Sequence, residues 1–249
     1  METLIRQIRF ETKLFLRERQ ALFFTLAFPV MLIFIFGAIF GGQIWSGIPA
    51  IDYLLPGIIG MALMMVCMTN SAVSITTDKE KGIFRRLSLT PLKRRTLLSG
   101  HVAVRYLIAL VGTILLMIIG ISVFKAHIGG NYFLFWVVLT LGALVFVTLG
   151  FIITGLVKNT GSAQALSMAV LFPLMFLGCC FWPLDVMPSF LRPVCEALPT
   201  FRMNAALRMI TVEGAGFNEI WQELLIIIGW LAAGSILSVK LFKWESKTD

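Results

Sequence analysis

The chain has 249 residues, of which 58% are hydrophobic and 14% charged, and its formal net charge is +8. Soluble domains carry about 25% charged residues, so this composition excludes an ordinary soluble protein. A basic excess also occurs in nucleic-acid-binding proteins, but here the lysines and arginines cluster beside long apolar runs. That placement is typical of cytoplasmic membrane loops and argues against a nucleic-acid partner.

The apolar residues fall into six runs, each about as long as the roughly 20 residues that a helix needs to cross a bilayer. Strands with open edges leave backbone groups unsatisfied in lipid. The runs therefore predict an all-α polytopic membrane protein with six transmembrane helices in a single domain, residues 1–249. The predicted spans are Ala21–Gly41, Leu54–Thr76, His101–Phe124, Tyr132–Val157, Ala163–Trp182 and Leu224–Phe242.

Residues 1–20 are charged and contain no glycine or proline. A helical projection places apolar side chains on one face and basic side chains beside it. The apolar set includes Ile5, Ile8 and Phe15, and the basic set includes Arg9, Lys13 and Arg17. This pattern favours an amphipathic helix in contact with membrane lipid over the alternative of a solvated leader. The charged stretch is too long for a cleaved signal peptide, so we expect an anchor that stays.

The second predicted span carries Pro56 near its first turn, where proline is tolerated, and turns polar in its inner half, Thr69–Thr76. Polar side chains there either hydrogen-bond a neighbouring helix or line a water-filled route, and we expect helix packing. His101 and Arg105 lie near the inner end of the third span. We expect both side chains to snorkel to the interface.

The segment between spans two and three, Thr77–Gly100, is rich in lysine and arginine. Thr77 and Glu80 have the spacing of a capping box, in which each side chain satisfies the other residue's backbone N–H. The box predicts a short helix with one apolar face, followed by a break at Thr90-Pro91, because the residue before proline avoids the helical region. The predicted apolar face consists of Ile83, Phe84 and Leu87.

The segment 183–223, between spans five and six, is long, apolar and interrupted by prolines. We expect short re-entrant amphipathic helices that dip into the outer leaflet. The cysteines show neither metal-binding nor disulfide-framework spacing. Cys67, Cys179 and Cys180 are interpreted as apolar packing residues, and Cys195 is either free or paired with one of the adjacent pair.

Most of the basic residues fall in the N-terminal segment, the Thr77–Gly100 loop and the C-terminus. The positive-inside bias therefore predicts that both termini are cytoplasmic and that residues 183–223 are external. The sequence has no phosphate-binding loop motif, no zinc-protease motif and few acids inside the spans. These absences argue against a membrane enzyme and against an ion-driven transporter, and favour a permease that takes its energy from a partner.

The loop carries the pattern Glu80-Lys81-Gly82-Ile83, then Arg86-Leu87 and Thr90-Pro91, then a basic helix. This pattern resembles the first cytoplasmic loop of type-2 ATP-binding-cassette (ABC-2) export permeases. The basic interface helix, the six spans and the proline-rich segment before the last span follow the family's order over nearly the whole chain. The short motif is weak by itself, and its place in this topology makes the resemblance specific.

The resemblance implies a mechanism. Two permease chains, expected to be a homodimer, each dock one ATPase subunit that binds ATP and magnesium, while the permease itself holds no cofactor and no metal. The short helix after Thr77 is the coupling helix, and its movement rearranges spans one, two and five. The coupling residues implied are Thr77, Glu80, Lys81, Gly82, Ile83, Phe84, Arg86, Leu87 and Pro91.

The expected function is that of a non-catalytic permease subunit of an ABC exporter in the plasma (inner) membrane. Methionine- and aromatic-rich spans favour a hydrophobic or amphipathic substrate, such as a drug or a lipid-like molecule. The alternatives are export of a lipid-linked polysaccharide and, less favoured, a non-ABC protein such as a lipid-modifying enzyme. The residues expected along the substrate path are Met64, Met68, Asn70, Phe172 and Met175.

Overall fold

The computed structural model describes residues 9, 12–13, 23–45, 47–87, 94–127 and 129–241. Within these ranges the chain is a bundle of helices with one short hairpin, in which β1 (Ile44–Trp45) pairs antiparallel with β2 (Ile48–Pro49). The helices are α1 (Phe28–Phe40), α2 (Ala50–Met64), α3 (Ser71–Glu80), α4 (Ile83–Leu87), α5 (Arg94–Phe124), α6 (Tyr132–Leu156), α7 (Thr160–Leu177), α8 (Arg192–Ala197), α9 (Pro199–Glu213) and α10 (Phe217–Leu241).

Among the described residues, five helices are long and apolar enough to cross a bilayer, judged by length and composition. They are Ala50–Glu80, Ser99–Phe124, Tyr132–Leu156, Thr160–Leu177 and Phe217–Leu241. A shorter apolar helix, Thr25–Phe40, corresponds to the first predicted span, which begins outside the described part. The all-α polytopic class is confirmed, and the count of six spans stays a prediction.

Several helices do not end where the apolar runs end. The helix that corresponds to the second predicted span extends from Ala50 to Glu80. Pro56 therefore lies inside it rather than in its first turn. The helix α5 includes Arg94, in agreement with the basic helix expected to run into the third span. The helix α10 begins earlier than expected, at Phe217, because the polar residues that flank an apolar run still favour helix. The helix α7 ends at Leu177, with Gly178 as its C-cap.

The helix Ala50–Glu80 is the centre of the bundle. Its first part, α2, packs against α1, α5 and α9, and its last part, α3, packs against α6 and α7. The side chains of Leu54, Ile58 and Met61 are completely enclosed. A helix that is apolar all round is the type that occupies the core of a bundle.

A π-helical segment, Met65–Asn70, separates α2 from α3, and a second one, Phe23–Ala27, precedes α1. The Asn70 side-chain amide donates to the Thr25 hydroxyl at 2.8 Å and joins the two segments. The nearby Thr76 is buried between helices. The polar inner half of the second span therefore packs against other helices, as expected.

The segment 183–223 contains α8 and α9, and α9 packs inside the bundle. It packs against α2, α6 and α10, with Met203 and Leu207 fully buried. Gly60 on α2 permits this close approach, since a Cβ atom there would overlap the Asn204 side chain. An apolar helix face looks the same in sequence whether it meets lipid or protein, and the re-entrant position of α8 and α9 in the outer leaflet stays a prediction.

The end of the bundle that contains α8 and α9 is held by a buried arginine and by cysteines. The Arg208 guanidinium lies over the Tyr53 ring, 3.7 Å from its centroid, and donates to the carbonyl of Cys179 at 2.6 Å. All four cysteines are free and buried. The thiols of Cys179 and Cys195 contact each other through a hydrogen bond, and burial raises the pKa of Cys179 to about 12. The thiol is therefore protonated at neutral pH.

Candidate coupling site at the basic end of the bundle

The end of the bundle where α3, α6 and α7 meet carries the basic loop and is called the basic end here. The last residues of α3 lead into a tight turn at Lys81 and Gly82, after which α4 begins. Gly82 has φ +66° and open space where a Cβ would lie. Its glycine is required by the left-handed backbone and not by crowding. The turn closes through the Gly82 N–H, which donates to the Lys79 carbonyl at 3.0 Å.

The predicted capping box is wrong. Thr77 and Glu80 lie in the last turn of α3, upstream of α4, so neither residue caps the short helix. The Thr77 hydroxyl donates back to the Val73 carbonyl at 2.8 Å. The box failed because α3 continues through the polar residues instead of breaking before them.

The Glu80 carboxylate instead reaches the first residue of α7. Its Oε2 atom accepts hydrogen bonds from the Thr160 backbone N–H at 2.9 Å and from the Thr160 hydroxyl at 2.6 Å. The Thr77 and Thr160 hydroxyl oxygens lie 3.0 Å apart. Lys79 donates to the Thr154 carbonyl near the end of α6 at 3.3 Å. The last turn of α3 thus holds the end of α6 and the start of α7 together.

The same end contains buried polar side chains from α5. His101 Nε2 lies 3.4 Å from Asp78 Oδ2 of α3, and His101 is almost fully buried. Arg105, one turn further on, is buried as well. The expectation that both residues snorkel to the interface is wrong, since α5 presents them to its neighbours in the bundle.

The short helix α4 does not present the whole predicted apolar face. Phe84 is buried within the chain and Ile83 is half-buried, so these residues hold α4 against its own bundle. Lys81 and Arg86 are exposed, and Arg86 donates to the Lys81 carbonyl at 2.8 Å. Leu87 is the last residue of α4, and Pro91 lies outside the described residues.

The predicted interface helix falls largely outside the described residues. Arg9 and Lys13 are described, and both are in helical conformation with exposed side chains. The other residues named for it, Ile5, Ile8, Phe15 and Arg17, are not described. The interface location of residues 1–20 stays a prediction.

The five residues expected along a substrate path do not share one surface. Met64 and Met68 are fully enclosed, and Met175 is buried. Asn70 is half-buried and donates to Thr25, whereas Phe172 is exposed on α7. Met64 and Met68 are enclosed because the helix Ala50–Glu80 lies at the centre of a packed bundle, and the substrate path stays a prediction.

Sequence reasoning missed Thr160 and Asn159. The Asn159 side chain accepts from the Ser162 backbone N–H at 2.8 Å and is the N-cap of α7. Asparagine is a favoured N-cap, so Asn159-Thr160 was a recognisable helix start. The contact with Glu80, 80 positions away in sequence, had no local signal.

Within the described ranges, no group of three or more histidine, cysteine, aspartate or glutamate side chains is placed to hold a metal ion. The hydrogen bonds at the basic end join helices to each other. This arrangement is suited to transmitting movement.

Comparison with known proteins gives a match over most of the chain. A family model described as ABC-2 type transporter matches residues 4–212. The daunorubicin resistance ABC transporter permease protein DrrB1 of Streptomyces coeruleorubidus is 26% identical over 228 residues, which cover 86% of this chain and 77% of that protein. The putative transport permease YvfS of Bacillus subtilis is 23% identical over 251 residues, or 96% of each chain.

A longer eukaryotic protein also matches. ABC transporter G family member 20 of Dictyostelium discoideum is 27% identical over 183 residues, which are 73% of this chain. The matched part is only 25% of the Dictyostelium protein. The remainder of the Dictyostelium protein is not matched by this chain.

Proposed function

Because the chain belongs to the ABC-2 type transporter family, we propose that it is the permease subunit of an ATP-driven exporter for hydrophobic or amphipathic molecules. The substrate moves from the cytoplasm or inner leaflet to the outside. The permease is multi-pass, resides in the plasma (inner) membrane and works as a homodimer with two ATPase subunits. ATP and magnesium are bound by the ATPase and not by this chain.

The observation that carries the proposal is the form of the basic end. A partner that docks there meets two exposed cations, Lys81 on the turn and Arg86 on α4. Gly82 permits the left-handed backbone of this turn, which is called the docking turn. The turn is joined directly to α3, and α3 is hydrogen-bonded to α6 and α7. A push on this turn therefore reaches several membrane helices through short, defined contacts.

The substrate class is supported by composition and by one relative. The described helices are strongly apolar, which suits lipophilic cargo and disfavours a polar solute. The name of the Streptomyces relative refers to daunorubicin resistance. Daunorubicin is an amphipathic drug, and it serves as the first transport probe.

The test first asks whether a neighbouring reading frame encodes a P-loop ATPase, as the proposal expects, and then co-expresses that ATPase with the chain. We expect the ATPase to co-purify and inside-out vesicles to take up daunorubicin only when ATP is present. Lys81→Glu is expected to weaken ATPase co-purification, since it reverses an exposed charge on the docking turn. The matched control is Lys125→Glu, which changes an exposed lysine beyond the far end of α5.

The proposal has two separable points of failure. An ATPase that does not co-purify, or that binds the Lys81→Glu variant normally, contradicts docking at the turn. ATP-dependent uptake of a lipid-linked polysaccharide, without uptake of daunorubicin or the lipophilic cation ethidium, contradicts the substrate class and leaves the docking intact.

A further inference from the structure

The start of α7 is capped twice, once from its own chain segment and once from another helix. The first N–H groups of a helix have no partner inside the helix. Asn159 supplies the local cap to Ser162 N, at 2.8 Å. Glu80 of α3 supplies the second acceptor, to Thr160 N at 2.9 Å. A carboxylate at this position also interacts favourably with the helix dipole.

The second cap lies next to the docking turn. Only Lys81 and Gly82 separate Glu80 from the first residue of α4. The Lys81 N–H donates to the Thr77 carbonyl at 2.9 Å, so the turn continues directly from the last turn of α3. Because the connection is only two residues long, movement of α4 is expected to displace Glu80.

Thr160 is the residue that receives this movement. It presents two donors, its backbone N–H and its hydroxyl, to one oxygen of Glu80. Two donors on one residue fix the direction of the carboxylate as well as its distance, and charge-assisted hydrogen bonds of this kind are stronger than neutral ones. The contact is exposed to solvent, so it can be broken and re-formed without burying a charge.

We propose that the Glu80–Thr160 contact is the link through which movement of the docking turn reaches α7, and that Thr160 is a positioning residue for export. The inference rests on the proposed function, since it needs an ATPase that moves α4. When the link holds, α4 and the start of α7 move as one body. When it is broken, the ATPase still docks and hydrolyses ATP, but α7 does not follow.

The variant that tests the link is Thr160→Pro. Proline removes both donors to Glu80, and Thr160 is the first residue of α7, where proline is well tolerated. The preceding Asn159 has φ −137° and ψ 163°, the extended conformation that residues before proline prefer. The Thr160 N–H bonds Glu80 rather than a backbone carbonyl, so the helix itself loses no internal hydrogen bond.

Two further variants separate the link from ordinary helix stability. Asn159→Ala removes the local cap of α7 and leaves the Glu80–Thr160 contact intact. Thr160→Ser keeps both donors. If Thr160 served only to hold α7 together, Asn159→Ala would impair export as much as Thr160→Pro does, because both remove a cap from the same helix end.

The readout is daunorubicin moved per ATP hydrolysed, in vesicles that contain the complete complex. We expect Thr160→Pro and Glu80→Ala each to lower this ratio by roughly fivefold or more, the usual size of a coupling between sites. Thr160→Ser and Asn159→Ala are expected to stay near the unaltered chain. The double variant Glu80→Ala/Thr160→Pro is expected to be no worse than either single one, since both remove the same contact.

The outcomes distinguish the two proposals. Normal ATPase co-purification with an unchanged transport ratio for Thr160→Pro overturns the link while the proposed function stands. Equal losses in Thr160→Pro and Asn159→Ala also overturn it, because they indicate a stability effect. If the unaltered chain neither retains the ATPase nor moves daunorubicin, the proposed function itself fails.

A second measurement does not depend on the transported molecule. Spin labels at Arg85→Cys on α4 and at Gln164→Cys, an exposed position on α7, report the distance between the two helices in a background in which the native cysteines are replaced by serine. If the Glu80–Thr160 contact links α4 to α7, the distance between the two labels has one narrow distribution both with and without ATP and vanadate. Thr160→Pro is expected to broaden or shift the distribution with nucleotide. A Thr160→Pro distribution that does not respond to nucleotide contradicts the inference.

Discussion

Arg208 is a charged side chain that is enclosed by protein yet satisfied by neutral groups. It donates to the carbonyls of Tyr53 and Cys179 and lies over the Tyr53 ring. Burial lowers its pKa from the ordinary arginine value, but arginine stays protonated at any physiological pH. The residue therefore fixes three parts of the chain, α9, the start of α2 and the turn after α7, through one guanidinium group.

Replacing Arg208 by methionine is expected to destabilise the protein strongly. The change keeps apolar bulk but leaves buried carbonyls without donors, at a cost of about 1–3 kcal/mol for each unsatisfied group. The measurement is the midpoint of thermal unfolding in detergent, followed by size-exclusion chromatography. The control, Arg202→Met, removes a partly exposed arginine of the same helix, 3.6 Å from Glu223.

Arg202 also donates to the Glu196 carbonyl, which stays accessible to water when the arginine is removed. The control is therefore expected to lower the midpoint by less than Arg208→Met does. Equal shifts for Arg202→Met and Arg208→Met would show that the buried contacts do not hold α9 in place. A normal Arg208→Met midpoint would lead to the same conclusion.

At the scale of helices, the contact between α2 and α9 depends on residues without side chains. A Cβ at Gly57 would overlap the Cys180 carbonyl, and one at Gly60 would overlap the Asn204 amide. Small residues at such positions let helix backbones approach closely, as is common where membrane helices pack. Gly60 thus permits the close approach of α9 to α2, and Gly57 permits that of the turn after α7.

Gly60→Ala is expected to destabilise the protein by about 1–3 kcal/mol, the usual cost of overpacking a core. The matched control is Gly229→Ala on α10, where a Cβ meets nothing within 4 Å. There alanine is expected to be neutral or stabilising by up to about 1 kcal/mol, because it favours helix over glycine. Thermal midpoints of the two variants are compared, and a destabilised Gly229→Ala with a normal Gly60→Ala would contradict the packing argument.

The sequence predicted the helices well and their partners poorly. The apolar runs located every long helix in the described residues, since hydrophobicity over about 20 residues is a strong signal. The buried place of α9 and the Glu80–Thr160 contact were missed. Hydropathy does not distinguish an apolar face that meets lipid from one that meets protein, and the spacing of Thr77 and Glu80 fits a capping box as well as the end of a longer helix.

The coupling site shows the same division. Gly82 was named as a coupling residue by resemblance alone, and its left-handed φ of +66° is a requirement for glycine that only the structure reveals. Phe84 was expected to face a partner and is buried within the chain. Apolar residues on a short helix indicate that a face is covered, and sequence alone does not indicate by what.

For the whole molecule, the two ends of the bundle differ in charge. The basic end carries Lys79, Lys81 and Lys158, together with the arginines of the loop. The opposite end contains Asp52, whose carboxylate accepts from the His127 backbone N–H at 2.9 Å, and exposed acids that include Asp185 and Glu213. Because cytoplasmic loops carry an excess of lysine and arginine, this asymmetry favours a basic end that faces the cytoplasm.

The orientation is tested by cysteine labelling in intact cells. Single cysteines are placed at Lys158, between α6 and α7, and at Glu213, the last residue of α9; both positions are exposed and lie at opposite ends of the bundle. The four native cysteines are buried and free, and they are replaced by serine so that only the new thiol reacts. A maleimide that cannot cross membranes is expected to label Glu213→Cys and to leave Lys158→Cys unlabelled.

Permeabilised cells provide the control, because both cysteines must react once the reagent reaches either side. Labelling of Lys158→Cys but not of Glu213→Cys in intact cells would reverse the orientation. The docking turn would then lie outside the cell, beyond the reach of any ATP-hydrolysing partner. This experiment therefore precedes the transport assays, since export driven from the basic end is possible only if Lys158 and the turn at Gly82 share the cytoplasmic side.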